Sequence, residues 1–219
     1  LLKYKDVFEV LTLQGDDKAY PLLKLHQQQD PYHVNTYYQL GIICQKWAKK
    51  YDPLTEYDNV KYFVYHANLY LTMTSKYLDD KEAKKNRDFY HLATIPDGQK
   101  KLEFPDIQKD INERIADVEH FNTNITKIRK NYYGAVNSYN QCLELFLELN
   151  KNNSKLKDIY LIANDTIIEK INKISQLYDS ALIYFDNYKK AITEFPIKDY
   201  NQQYTLENIE TYKLHGLTN

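Results

Sequence analysis

From Ile107 to Phe146 the apolar side chains step by threes and fours: Ile107, Ile111, Ile115, Val118, Phe121, Ile125, Ile128, Tyr132, Ala135, Tyr139, Leu143 and Phe146. A strand repeats every two residues and an α-helix every 3.6. A seam near 3.5 held over roughly forty residues therefore specifies a long helix that packs along its length against another. Pro105 suits the first position of that helix. A continuous rod to Asn150 would be roughly 65 Å long, with Asn122-Thr123-Asn124 and Gly134 as the places where it could kink. After the polar stretch Asn150–Lys155, a matching seam runs through Ile159, Ala163, Ile167, Ile171, Ile174, Tyr178, Ala181, Phe185, Tyr188 and Ile192. A turn that short forces the two helices antiparallel. Residues 99–197 are thus expected to form a long antiparallel coiled-coil-like hairpin. Residues 198–219 are expected to form a polar tail, or a linker to a further domain, with one short helix over Leu206–Leu214.

The residues before this seam hold shorter helical patterns. Five glycines and six prolines in 219 residues are too few to punctuate an all-β fold, so the expected fold class is all-α. Tyr4–Leu13 carries a stripe of Val7, Phe8, Val10 and Leu11, and Gly15 stands where a helix C-terminal glycine belongs. Asp16-Asp17 opens a second helix, with Pro21 read as a first-turn proline. Asp30-Pro31 separates it from a third over Tyr32–Tyr51, which Asp52-Pro53 ends. A fourth, rich in aromatics, is expected over Val60–Tyr77, and a sparse fifth over Leu78–Leu92. Ile95-Pro96-Asp97-Gly98 is the clearest turn, and it places a domain boundary after residue 98.

Composition narrows the function classes. Lys+Arg is 29 against Asp+Glu 30, which leaves no cation surplus for a duplex nucleic acid or an anionic membrane surface. No apolar run is long enough to span a bilayer. Cys44 and Cys142 have no metal or redox spacing and read as core residues. No glycine-rich phosphate loop and no nucleophile elbow is present. Asp117-x-x-His120 is half of a di-metal pattern and lacks its other ligands. His66, among Tyr62, Tyr65 and Tyr70, has no partner placed by a motif. No enzyme activity, cofactor or metal is therefore expected. Tyr, at 22 residues, is the outlier; it suits either helix packing or a protein interface.

One further pattern joins the first helices. Ala19, Leu23 and Pro31 are followed by Tyr37-x-x-Leu40-Gly41, with Gly41 22 residues after Ala19. Over about residues 4–77 this resembles the tetratricopeptide repeat, a helical hairpin of ~34 residues. Ala19 matches its small residue, Pro31 its closing proline, and Tyr37, Leu40 and Gly41 the aromatic and L-G of the next unit. Leu23 stands where the family prefers an aromatic, Asp6-Val7 replaces the first L-G pair, and Asp52–Asn59 is an insertion. The resemblance implies about two degenerate hairpins that bind a partner segment in a groove lined by the first helix of each. Carried over by register, the groove candidates are Tyr4 and Phe8 in the first unit and Asn35, Tyr38, Ile42 and Gln45 in the second. Apolar Phe8 and Ile42 are read rather as buried against a neighbouring helix, which leaves Asn35, Tyr38 and Gln45 as the better groove candidates. None is a Lys or Arg, so no clamp for a carboxylate is expected.

The leading expectation is a non-catalytic scaffold for a protein partner. The alternative is a structural subunit of a larger assembly that self-associates, or joins a sister chain, through the long hairpin. The start at Leu1 leads us to expect a processed or truncated product. The Tyr-, Asn- and Lys-rich style suggests a bacterial periplasmic or cell-envelope setting.

Overall fold

The computed structural model describes residues 2–152 and 164–197. Among them every regular element is helical: α1 (Tyr4–Gln14), α2 (Asp16–Gln29), α3 (Val34–Ala48), α4 (Tyr57–Tyr77), α5 (Asp80–Lys85), a 3-10 turn (Arg87–Tyr90), α6 (Phe104–Asn152) and α7 (Asp165–Glu194). The all-α expectation holds. The Leu78–Leu92 pattern forms α5 and the 3-10 turn rather than one helix, with Asn86 at the junction. Residues 150–152 of the turn expected at Asn150–Lys155 are the last of α6, while 153–155, the seam positions Ile159 and Ala163, and the tail 198–219 lie outside the described residues.

Local chemistry sets the helix ends. Gly15 ends α1 at φ 87°, a backbone conformation open to glycine, and its N–H bonds the Leu11 carbonyl. α2 starts at the next residue. Pro21 stands inside α2, on its exposed side, later than the first turn expected for it. His33 caps α3 by accepting the Thr36 N–H at Nδ1, 3.3 Å away. Asp79 caps α5 by accepting from the Glu82 N–H. Buried Asp52 organises the loop before α4, accepting from the Leu54 N–H and the Thr55 hydroxyl at 2.8 Å each.

The chain divides into two compact units, Leu1–Thr123 and Asn124–Asn219. In the first, α3 is the central rod, buried at every residue from Val34 to Cys44. One side meets α4, where Gly41 faces Leu71: a Cβ built on Gly41 would lie 2.8 Å from Leu71 Cγ and 3.3 Å from its backbone nitrogen. A second side meets α2 through Thr36 and His26. On a third side Val34, Tyr38 and Ile42 share a core with Leu78, Ala83, Tyr90, Ala93, Leu102, Ile107 and Ile111.

That third contact moves the boundary. The turn at Ile95–Gly98 pointed to residue 98, but the start of α6 belongs to the first unit. Ile107 and Ile111 bury their side chains against α3, and this burial outweighs the local turn chemistry.

In the second unit the remainder of α6 runs antiparallel to α7. Lys127 pairs with Glu194, Tyr132 meets Tyr188, Gly134 lies under the Tyr184 ring and Lys170 pairs with Glu148. The numbers rise on one helix as they fall on the other. Ile125, Ile128, Ala135 and Cys142 of α6 and Ala181 of α7 are fully buried, and Cys142, Leu149 and Ile174 share one core cluster. Neither Asn122–Asn124 nor Gly134 interrupts α6.

Candidate partner-binding surface

The side chains proposed from the sequence to line a groove lie inside the first unit. Tyr4, Asn35, Tyr38 and Ile42 are buried, Phe8 is half-buried and Gln45 is partly buried. This corrects the expectation of an open groove on α3. The α5-to-α6 stretch lies where a partner was expected, so the chain fills its own groove.

Polar bonds complete the closure. The Tyr38 hydroxyl donates to Asp110 Oδ2 at 2.8 Å, and Arg114 Nε donates to the same oxygen at 2.8 Å. Arg114 also donates to Gln45 Oε1 at 3.3 Å and to the Leu92 carbonyl. Gln45 Nε2 donates to Asp117 Oδ2 at 2.6 Å, where Lys49 donates as well at 2.7 Å. Burial pushes the Tyr38 hydroxyl pKa up, and the neighbouring Asp110 adds to that rise. Burial would raise the Asp117 carboxyl, but the bonds from Lys49 and Gln45 outweigh it and hold the carboxyl below its ordinary range. Asn35 Nδ2 donates to Glu82 Oε1 at 3.0 Å, and the Tyr4 hydroxyl donates to the Asn35 carbonyl at 3.3 Å.

A signal for this closure was present in the sequence. From Val34 to Gln45 there is no charged residue on any face of α3. A helix without a charged face is a helix covered all round.

A cleft of about 330 Å³ remains at the edge of α3. Ile42, Ile43, Leu11, His91 and Leu92 are among its lining, as are Lys46 and Asp16, which form an ion pair at 3.2 Å.

The more open surface lies on α4. Tyr62, Tyr65 and Leu69 are 50%, 63% and 39% exposed. They follow one another at helical spacing; the half-buried rings of Phe63 and His66 adjoin them, and buried Tyr70 packs against His66. Next to them is a groove of about 420 Å³, lined by Lys61, Val64, Tyr65, Asn68, Leu69 and Thr72 of α4 and by Asn122 of α6. From Asn59 to Leu78 the chain carries no Asp or Glu.

The histidines weighed as chemical candidates have packing partners here. His66 Nδ1 lies 2.8 Å from the Tyr62 carbonyl, and its ring lies 4.1 Å from that of Tyr62. Asp117, the partner imagined for His120, is engaged by Lys49 and Gln45. Among the described residues no group of three or more His, Cys, Asp or Glu side chains is placed to hold a metal. No described helix is long and apolar enough to cross a membrane.

These features define the class: an all-α protein whose central helix is enclosed by its own chain and whose aromatic fourth helix faces solvent. In comparisons with protein-family models, curated proteins and solved structures, nothing matches this chain.

Proposed function

We propose that this is a non-catalytic protein-interaction module and that the exposed face of α4 carries the interaction. The observation behind this reading is the stripe of Tyr62, Tyr65 and Leu69 standing in solvent beside a groove. Such aromatic and aliphatic side chains lose contact with water on association, and tyrosine is enriched where they do. The proposal transfers binding from the face of α3, which is filled, to α4. It keeps residues 4–77 as tetratricopeptide-like hairpins; the close approach at Gly41 and the full burial of Ala19 and Ala67 support that likeness. To test it, a photo-crosslinking residue is placed at position 62. It should capture one defined protein, and Tyr65→Ala with Leu69→Ala should remove that capture without changing helicity. Undiminished capture by the double variant would refute the assignment.

A second reading has its own observation. In the second unit Leu147, Ile168 and Ile183 are exposed, Ile183 at 62%, which favours self-association through the hairpin. Sedimentation decides it: a concentration-dependent dimer lost on Ile183→Lys supports this reading, and a strict monomer removes it.

A further inference from the structure

We infer that the groove beside α4 receives an acidic amphipathic helix of a partner protein; this inference rests on reading α4 as the interaction face. The shape of the groove is the first argument. Its α4 side runs from Lys61 to Thr72, about 16 Å at 1.5 Å per residue, with α6 contributing Asn122. A trough laid along one helix fits another rod, which presents anchors at i, i+3 or i+4, and i+7. Among the described residues no strand edge exists to which an extended segment could add.

The chemistry of the lining sets the sign of the charge. Val64, Tyr65 and Leu69 supply the apolar surface, and Lys61 is the one charged side chain in the lining. It lies over the Tyr57 ring, 5.9 Å from its centre. The Thr72 hydroxyl donates to Asn68 Oδ1 at 3.2 Å, which leaves the Asn68 nitrogen to serve as a donor. The lining thus holds an ammonium and an amide donor and no carboxylate, which complements an anion; Asp58 stands one turn before Lys61, outside the lining. A basic helix would bring its charge to Lys61 with no carboxylate in the lining to offset it. A single lysine is too little for a nucleic-acid backbone, whose binding rests on neutralising several phosphates.

The test uses the full chain and two synthetic helical peptides, followed by fluorescence anisotropy. Both peptides carry leucines at i, i+4 and i+7; one has glutamates flanking the stripe and its twin has lysines. The glutamate peptide should bind at least about tenfold more tightly than its twin at low salt. Lys61→Glu, at an exposed position, should reverse that preference, and Leu69→Ala should weaken both peptides. Equal binding of the twins, or a preference unmoved by Lys61→Glu, overturns the inference. So does a dimer of this chain that Leu69→Ala dissolves, since the occupant would then be a second copy. If neither peptide binds while crosslinking from position 62 still finds a partner, the acidic helix is wrong and the interaction face stands. If both fail, the reading of α4 fails with it.

Discussion

A single methyl group added at Gly41 probes the closest approach of two helices in the first unit. The new Cβ would sit 2.8 Å from Leu71 Cγ and 2.9 Å from its Cδ2. Leu71 is fully buried, so its side chain must shift within the core to admit the new methyl. Alanine gains about 1 kcal/mol over glycine in helix propensity, and overpacking costs about 1–3 kcal/mol. Gly41→Ala should therefore destabilise by about 1 kcal/mol net, seen as a lower urea midpoint at unchanged slope. A midpoint that rises would mean the two helices are not held this close.

His33 carries a second residue-scale prediction. Its ring sits 4.3 Å from that of Tyr4 and 4.8 Å from that of His26, and Nδ1 must stay unprotonated to cap α3. Burial first, then the charge of His26, pull its pKa down to about 4; Asp30 opposes this and Lys85 adds to it. The unfolded chain binds that proton more readily than the folded one. The stability tied to neutral His33 is complete above its ordinary value of 6.5 and is lost as pH falls from 6.5 through about 4. His33→Asn keeps a capping side chain and removes the titration. The variant should lose less stability than the parent in that window, measured by thermal melts at stepped pH. Identical pH curves would count against the capping role. Gly41 was legible in the sequence because a small residue between large ones marks close backbones. The His33 cap was not, since histidine is a rare cap and the tautomer that makes it one depends on its folded neighbours.

At the scale of elements, α3 and the start of α6 are held together by burial and by the bonds around Asp110. Removing its carboxylate leaves the Tyr38 hydroxyl and the Arg114 guanidinium without their shared acceptor. Asp110→Ala should cost about 2–3 kcal/mol for these part-buried groups. Tyr38→Phe alone should cost about 1 kcal/mol. If the two losses simply add in the double variant, the bond between them does not operate in solution. The pairing of α3 with α6 could not be read from the chain, although each helix could. Periodicity shows which stripe is apolar but not which of several apolar stripes it meets. Tyr38 and Asp110 are 72 residues apart, and no local pattern joins them.

At the scale of the whole molecule the fold class, the long α6 and its antiparallel partner were legible, because a sustained 3.5 repeat has one structural solution. The division into units was not. The seam from Ile107 to Phe146 looks uniform, yet its first part packs on α3 and its later part on α7. An apolar position carries no mark of which neighbour will cover it. The same gap affected the expected groove: register put it on α3, whereas the chain covers α3 itself and leaves Tyr62, Tyr65 and Leu69 of α4 exposed.

Hydroxyl-radical footprinting of the unaltered protein, read tyrosine by tyrosine, tests the covering of α3 and the exposure of α4 most directly. Tyr38 and Tyr90, both fully buried, should stay unmodified until the protein unfolds, while Tyr62 and Tyr65 react at the rate of solvent-exposed rings. Modification of Tyr38 in the folded protein at a rate comparable to Tyr65 would contradict the account, because the groove on α3 would then be open.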